Sequence, residues 1–350
     1  MTIISSDTEA GFNFTFSSDL LLIKEGVTMA VEQDYAIEDG NLVAGSTLIN
    51  KGAIYSNFAA VVLRGDYSTV INEASGSIVG AEGVYFGGEI ARLDNSGYIY
   101  GALDGVNIDG GSGYIANSGT VSSPRYGITL TTSLTVEIHN TGVVRGGNYS
   151  IVTPFNGGGG PLNVLNDGAL IGDVFLVNCS VCTVRNSGVI QGYVLLSSGD
   201  DGFDGRGGTV SGFVGGYEGN DTLRGGHGED QLIGGEGADR LNGGRGDDVF
   251  SYGFITESKG KDIDVIRGWD EGDVLDLSSL DANPRQSGIQ HLSFGGQIAP
   301  GDPVGNDQVQ YYRQNGDTYV VADINGDGKA DLTIKIAGLV TLDAGDFILS

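Results

Sequence analysis

Four aspartates, Asp221, Asp230, Asp239 and Asp248, stand nine residues apart, and each closes a turn spelt in glycine. The segment from Gly216 to Ser251 reads GYEGNDTLR, GGHGEDQLI, GGEGADRLN and GGRGDDVFS. These are four tandem copies of G-G-x-G-x-D-x-U-x, where U is a large apolar residue, and Tyr217 is the one departure from the glycine positions. Six residues of each copy suit a turn whose successive carbonyls alternate in direction, which glycine permits. The last three suit a short strand with its apolar residue inward: Leu223, Leu232, Leu241 and Phe250. Two copies complete a coil, so Asp221 stacks on Asp239 and Asp230 on Asp248. Carboxylates and carbonyls stacked in this way form the donor set of a hard cation, and Ca²⁺ takes roughly six to eight oxygens. The expected ligands are the carboxylates of Asp221, Asp230, Asp239 and Asp248, with Asp247 beside the last. Backbone oxygens would come from Gly219, Gly226, Gly228, Gly235, Gly237, Gly244 and Gly246. A merely solvated acidic face would not require this glycine register.

A second acidic loop, DINGDGKAD, begins like an EF-hand, with Asp323, Asn325, Asp327 and Gly328 at positions 1, 3, 5 and 6. Position 12 is Ile334 where a bidentate Glu is needed, so a true EF-hand is not expected. Asp331 is the substitute ligand if an ion binds there, and an acidic β-turn is the alternative. Together the two regions would hold three to five Ca²⁺ ions.

The nonapeptide run resembles the calcium-binding repeat of the repeats-in-toxin (RTX) proteins. The upstream stretch GDDGFDGRG, residues 199–207, reads as a decayed copy that lacks the apolar anchor. From Phe250 onward the chain is similar to the C-terminal region of serralysin-type secreted metalloproteases. The likeness rests on DVI-x-x-W-x-x-G-D-x-L-D-L, D-x-N-G-D-G-x-A-D-L and a terminal D-F-I-L, matched by DVIRGWDEGDVLDL, DINGDGKADL and DFIL. It implies a segment that caps the roll and carries an uncleaved export signal for type I secretion machinery. Secretion to the exterior or the cell surface follows, which accounts for an N-terminus without a basic region or a long apolar run. Asp-rich turns repel one another without metal and fold when Ca²⁺ binds outside the cell. Asp264 and Asp273 are expected to cap the roll, with metal binding near its end as the alternative.

The serralysin likeness invites a search for a zinc protease. No H-E-x-x-H exists, and His139, His227 and His291 are scattered. His227 falls on a variable turn position, and His139, just before a repeat Asn, is expected at a turn. Upstream of the nonapeptides the repeat runs LINKGAIYS, VINEASGSIVG, LDNSGYIYG, IANSGTVSS, IHNTGVVRG, VLNDGALIG and VRNSGVIQG. Its asparagines are Asn50, Asn72, Asn95, Asn117, Asn140, Asn166 and Asn186, at spacings of 20 to 26 residues. A period of this size marks a solenoid, and no segment carries a helical stripe. Each phrase suits two short strands about a turn, with a third strand between phrases and the Asn side chains forming an internal ladder. These phrases resemble the right-handed β-helical passengers of bacterial autotransporters.

Composition agrees with this picture. The chain has 350 residues, 62 of them glycine, a net charge of −27 and 39% hydrophobic residues. Apolar content of that size excludes a disordered chain, and the negative charge excludes a nucleic-acid binder. The longest early apolar run, Leu20–Ile23, is too short to span a membrane. The fold class is therefore all-β: a right-handed parallel β-helix, a Ca²⁺-binding β-roll and a β-rich cap. The expected segments are a solenoid cap (1–45), the β-helix (46–200), the roll (201–251) and the cap with its secretion signal (252–350).

Two further features ask for chemistry. The pair Cys179 and Cys182 lies in an apolar stretch, where two semi-buried thiols are the first expectation and a turn between them would permit a disulfide. GGGGP at Gly157–Pro161 lacks the lysine of a phosphate loop. The acids of the β-helix (Asp66, Glu73, Glu82, Glu89, Asp94, Asp104, Asp109, Glu137, Asp167, Asp173) read as sparse and out of phase. No catalytic residue is expected. The functional reading is a non-enzymatic surface, adhesive or self-assembling protein, with homo-assembly or a surface polysaccharide as its partner. The alternative is a polysaccharide lyase or epimerase, because mannuronan epimerases are similar in joining a β-helix to RTX modules.

Overall fold

The computed structural model describes residues 1–14, 19–40, 44–154, 159–282 and 289–350. The second half of the GGGGP stretch is among these, while Gly157 and Gly158 lie outside the described residues. The fold is all-β, and its helical content among the described residues is one 3-10 turn, Ala344–Asp346. The chain forms two units, Met1–Val194 and Leu195–Ser350. Each is built on a parallel β-solenoid. Among the described residues no helix is long and apolar enough to cross a membrane.

In the first unit, three columns of apolar side chains fill the solenoid. Leu48, Val70, Leu93, Ile115, Ile138, Val164 and Val184 stack in register on one wall. Ile54, Ile78, Ile99, Val121, Val144, Leu170 and Ile190 stack on a second. Val61, Val84, Val106, Ile128, Ile151 and Val174 form the third. All are fully buried, and burial of each such side chain contributes about 1.5–3 kcal/mol. Three short strands per coil are expected. In several coils the second and third fuse across a corner, as in Ser77–Phe86, Tyr98–Ile108 and Val143–Val152. The segment before residue 45 also enters the stack, with Thr2–Ile4 on Leu20–Ile23 and that strand on Thr47–Asn50.

The repeat asparagines form one continuous ladder. Each Nδ2 donates to the Oδ1 of the next coil, from Asn50 through Asn186, at 2.7–2.8 Å. The second amide proton reaches backbone oxygens, as from Asn72 to Tyr98 O at 3.3 Å. An amide both donates and accepts, so identical side chains satisfy one another indefinitely. At the start of the ladder Ile23 stands in the Asn50 column, and Asn50 Oδ1 accepts from Gly52 N. The glycine that follows each Asn is needed for close approach and not for a left-handed backbone. A Cβ on Gly119 would overlap the Gly97 carbonyl, and one on Gly142 would overlap that of Gly119.

Cys179 and Cys182 are joined in a disulfide with Cα atoms 5.9 Å apart. The expectation of two separate thiols gives way to the alternative of a disulfide across a turn, because the chain bends at Ser180 and Val181, between the two cysteines, instead of running on as a strand.

In the second unit each coil has two strands. The anchors Phe203, Leu223, Leu241, Ile266 and Ile336 stack in one column. Val214, Leu232, Phe250, Leu275 and Phe347 stack in the other. Phe203 is buried, so the decayed copy at 199–207 has its anchor after all. Strands Gln308–Gln314, Asp317–Asp323 and Leu332–Ile336 form an antiparallel sheet, and the last of them pairs with the roll through Val265–Ile266.

Truncating one rung of the amide ladder strands a donor above it and an acceptor below it. Asn117→Ala should therefore lower the free energy of unfolding in urea by at least about 2 kcal/mol. The adjacent exposed change Ser118→Ala should cost less than about 0.5 kcal/mol.

Candidate metal centre

The nonapeptide aspartates of the second unit are held in two ladders. In the first, the backbone N–H of Asp201 donates to Asp221 Oδ1, that of Asp221 to Asp239 Oδ1, and that of Asp239 to Asp264 Oδ1, at 2.7–2.9 Å. In the second, Asp230 N donates to Asp248 Oδ1 and Asp248 N to Asp273 Oδ1, at 2.9 and 3.1 Å. A carboxylate accepts but cannot donate, so each rung uses one oxygen and leaves the other over. Asp221, Asp239, Asp248 and Asp264 have buried Oδ2 atoms with no hydrogen-bond donor. The Tyr252 hydroxyl lies beside Asp264 but outside hydrogen-bond geometry.

Three of the four ladder ends lack this deficit, and Asp264 alone keeps it. Asp201 Oδ2 accepts from Ser197 N and Oγ, both at 2.8 Å. Asp273 Oδ2 accepts from Asp270 N at 3.0 Å, and Asp230 Oδ2 from Gly226 N at 2.6 Å.

Burial raises the pKa of every bare rung. It pushes Asp221 and Asp264 up to about 8, Asp239 to about 7 and Asp248 to about 6, with neighbouring carboxylates adding to the effect. The bare oxygens are tucked beneath the first glycine of their own turns. A Cβ on Gly216, Gly234 or Gly243 would overlap the Oδ2 of Asp221, Asp239 or Asp248 respectively. At Gly216 the Gly234 carbonyl of the next coil shares that space.

Backbone carbonyls converge between stacked turns as well. The oxygens of Tyr217 and Gly219 point at Gly235 and Gly237, and those of Gly226 and Gly228 at Gly244 and Gly246. Positions 2 and 4 have positive φ in the first, third and fourth turns: Tyr217 88°, Gly219 122°, Gly235 101°, Gly237 143°, Gly244 115° and Gly246 126°. Gly226 and Gly228 are not left-handed, and the second turn instead donates from Gly226 N to Asp230. Asp247 is exposed and packs beneath Gly272.

Among the described residues no three His, Cys, Asp or Glu side chains gather as a metal-binding group. The available donors are single carboxylates amid carbonyls. That set suits a hard, oxygen-seeking cation and not a transition metal.

Sequence reasoning missed Asp201, Asp264 and Asp273 as members of the ladders. The signal was present: Asp264-Val265-Ile266 and Asp273-Val274-Leu275 repeat D-x-U at nine residues without the glycines. The second acidic loop is arranged differently. Asp323 is buried, and its carboxylate accepts from Asn325 N, Gly326 N and Gly328 N at 2.8–3.1 Å. Asp327 Oδ1 accepts from Lys329 N, and Asn325 Oδ1 from Asp327 N. Asp331 holds Lys259 Nζ at 3.0 Å and Asn325 Nδ2 at 2.8 Å. These acids have partners within the loop, and none of them buries an oxygen without a donor.

Residues 205–349 match the family model described as Peptidase M10 serralysin C terminal. That serralysin-type region spans the nonapeptide turns and everything beyond them, and it is a repeat region without catalytic machinery. No curated protein matches the chain in sequence.

In the first unit the acids are less scattered than linear reading suggests. Glu82 and Asp104 are register partners in adjacent coils. Burial, then the mutual charge, pushes Glu82 up, and burial pushes Asp104 up. Asp104 accepts from the Thr129 hydroxyl, and Asp109 accepts from Tyr85 Oη at 2.9 Å. His139, expected at a turn, stands in the strand Val136–Asn140, tilted against the Tyr114 ring at 5.5 Å.

The raised carboxyls set a sign for pH dependence. The folded, metal-free chain keeps these protons to higher pH than the unfolded chain, whose aspartates titrate at about 4. Folding is favoured by the extra protons below that window, and stability falls as pH rises from about 4 to about 8. Asp204 and Asp317, held low by Arg206 and Lys335, titrate below the window. Trp269, the one tryptophan, stacks on Phe250 at 6.0 Å and reports on the roll. In chelator, the fraction of folded roll read by Trp269 fluorescence should be larger at pH 5 than at pH 8.

Proposed function

We propose that the protein is a secreted β-solenoid whose roll folds on Ca²⁺ outside the cell and whose role there is non-enzymatic, structural or adhesive. The observation that carries this reading is the row of buried carboxylate oxygens without donors at Asp221, Asp239 and Asp248. At Asp221 the Gly234 carbonyl of the next coil shares the space of the bare oxygen. Bound there, Ca²⁺ would supply the positive charge that these rungs lack. Asp221, Asp239 and Asp248 would hold it with the carbonyls of Tyr217, Gly219, Gly226 and Gly228. Asp230 would join after exchanging its bond to Gly226 N. The loop holding Asp323, Asn325, Asp327 and Asp331 serves instead as a self-bonded acidic turn. The match to the serralysin C terminal supports type I secretion, with the export signal in the last residues. Parallel coils present unpaired backbone at an end, which is a physical route to layers or filaments.

The test is a Ca²⁺ titration of the chelated chain at pH 7.5, read by Trp269 fluorescence. Calcium should drive a cooperative change, and an Asp221→Asn, Asp239→Asn double variant should need at least about tenfold more, equivalent to about 1.4 kcal/mol. A metal-independent spectrum would remove the reading.

A second reading is favoured by one observation. Glu82 and Asp104, paired across coils with Arg64 and Arg125 nearby, form the kind of carboxylate pair that cleaves or epimerises glycans. Incubation with alginate, pectin and neutral glycans decides it. Turnover that is lost in both Glu82→Gln and Asp104→Asn would establish an enzyme, and no turnover on the panel would leave the non-enzymatic reading standing.

A further inference from the structure

One outer column of the first unit runs Ile71, Asp94, Ala116, His139, Leu165 and Arg185, one residue per coil. Ala116 is the small member between two large ones. The missing side-chain volume opens a shallow groove of about 220 Å³, floored by Ala116 and walled by Asp94, His139 and Tyr114. Arg92 borders it, with Nε and one Nη each 2.9 Å from Asp94 and its guanidinium 4.8 Å from the Tyr114 ring centre.

Three hydroxyls line the groove one coil apart: Ser96, Ser118 and Thr141. Each donates its proton to the carbonyl of the preceding repeat asparagine, at 3.3, 3.4 and 3.5 Å. These contacts are long, so each hydroxyl can also turn to a ligand in the groove as donor or acceptor. Among the described residues no hydrogen bond reaches the imidazole nitrogens of His139 or the hydroxyl of Tyr114.

This chemistry narrows the ligand. The groove offers hydroxyls, a phenol and an imidazole, groups that both donate and accept, so its occupant must do the same. An anion would meet the Asp94 carboxylate on a chain of net charge −27. A cation would meet the Arg92 guanidinium. A ligand with many hydroxyls and no charge satisfies both limits. The groove hydroxyls recur at the coil spacing, about 4.8 Å, which is close to the length of one sugar ring. The Ala116 methyl and the imidazole face offer apolar surface to ring C–H groups.

We propose that the groove at Asp94, Ala116 and His139 binds a neutral oligosaccharide lying along the solenoid, one sugar per coil. This gives the adhesive part of the proposed function a ligand class and rests on that part alone.

The experiment is an NMR titration of the calcium-saturated full chain, read at the imidazole resonances of its three histidines. Linear neutral hexose oligomers at millimolar concentration should shift His139 and leave His227 and His291 in place. In Ala116→Leu the groove is filled by a side chain that the column already accepts at Leu165, and the shift should vanish while the remaining spectrum is kept. Failure of every neutral oligomer to move His139 would overturn the proposal. An equal shift in Ala116→Leu would also overturn it. A shift with oligouronates in place of neutral sugars would overturn the ligand class. None of these outcomes depends on whether calcium drives folding, so the two proposals fail separately.

Discussion

A carboxylate can accept hydrogen bonds from the next coil but cannot return one, and the second unit is built around that asymmetry. Each interior aspartate uses Oδ1 to receive a backbone N–H and leaves Oδ2 buried without a donor. Such an oxygen needs either a proton or a cation, because an uncompensated buried charge costs several kcal/mol. The raised pKa values describe the first solution. The carbonyls between turns offer the second. The first unit solves the same stacking problem with asparagine, whose amide donates and accepts in equal measure. One amide-for-carboxylate difference thus separates a ladder complete in itself from a ladder whose interior rungs each keep a buried oxygen without a donor.

Much of this architecture was legible in the spacing of single residues. The Asn period predicted a solenoid and its internal ladder, and the structure has both. The nonapeptide register predicted the stacking of Asp221 on Asp239 and of Asp230 on Asp248, again as found. What spacing could not show was which oxygen of each carboxylate is already taken, since that depends on backbone direction at the turn. Gly226 and Gly228 look like Gly244 and Gly246 in sequence, yet only the latter pair is left-handed. Asp264 and Asp273 were legible only without the glycines, because a D-x-U triplet can stack in the roll whatever turn precedes it. Phe203 was overlooked for the same reason.

The β-helix surface was harder to read. Outward positions obey no apolar pattern, so Glu82 and Asp104 look unrelated until the register pairs them. The groove beside His139 arises from a side chain that is small, and absence of volume leaves almost no trace in composition. The disulfide between Cys179 and Cys182 depended on a turn that neither residue specifies.

Hydrogen–deuterium exchange with and without Ca²⁺ at neutral pH tests the central claim most directly, because it resolves the two ladders in one molecule. Amides in residues 216–276 should be protected only when calcium is present, while those of the asparagine strands from Asn72 to Asn186 should be equally protected in chelator. Full protection of residues 216–276 in chelator would contradict the dependence of the carboxylate ladder on an ion.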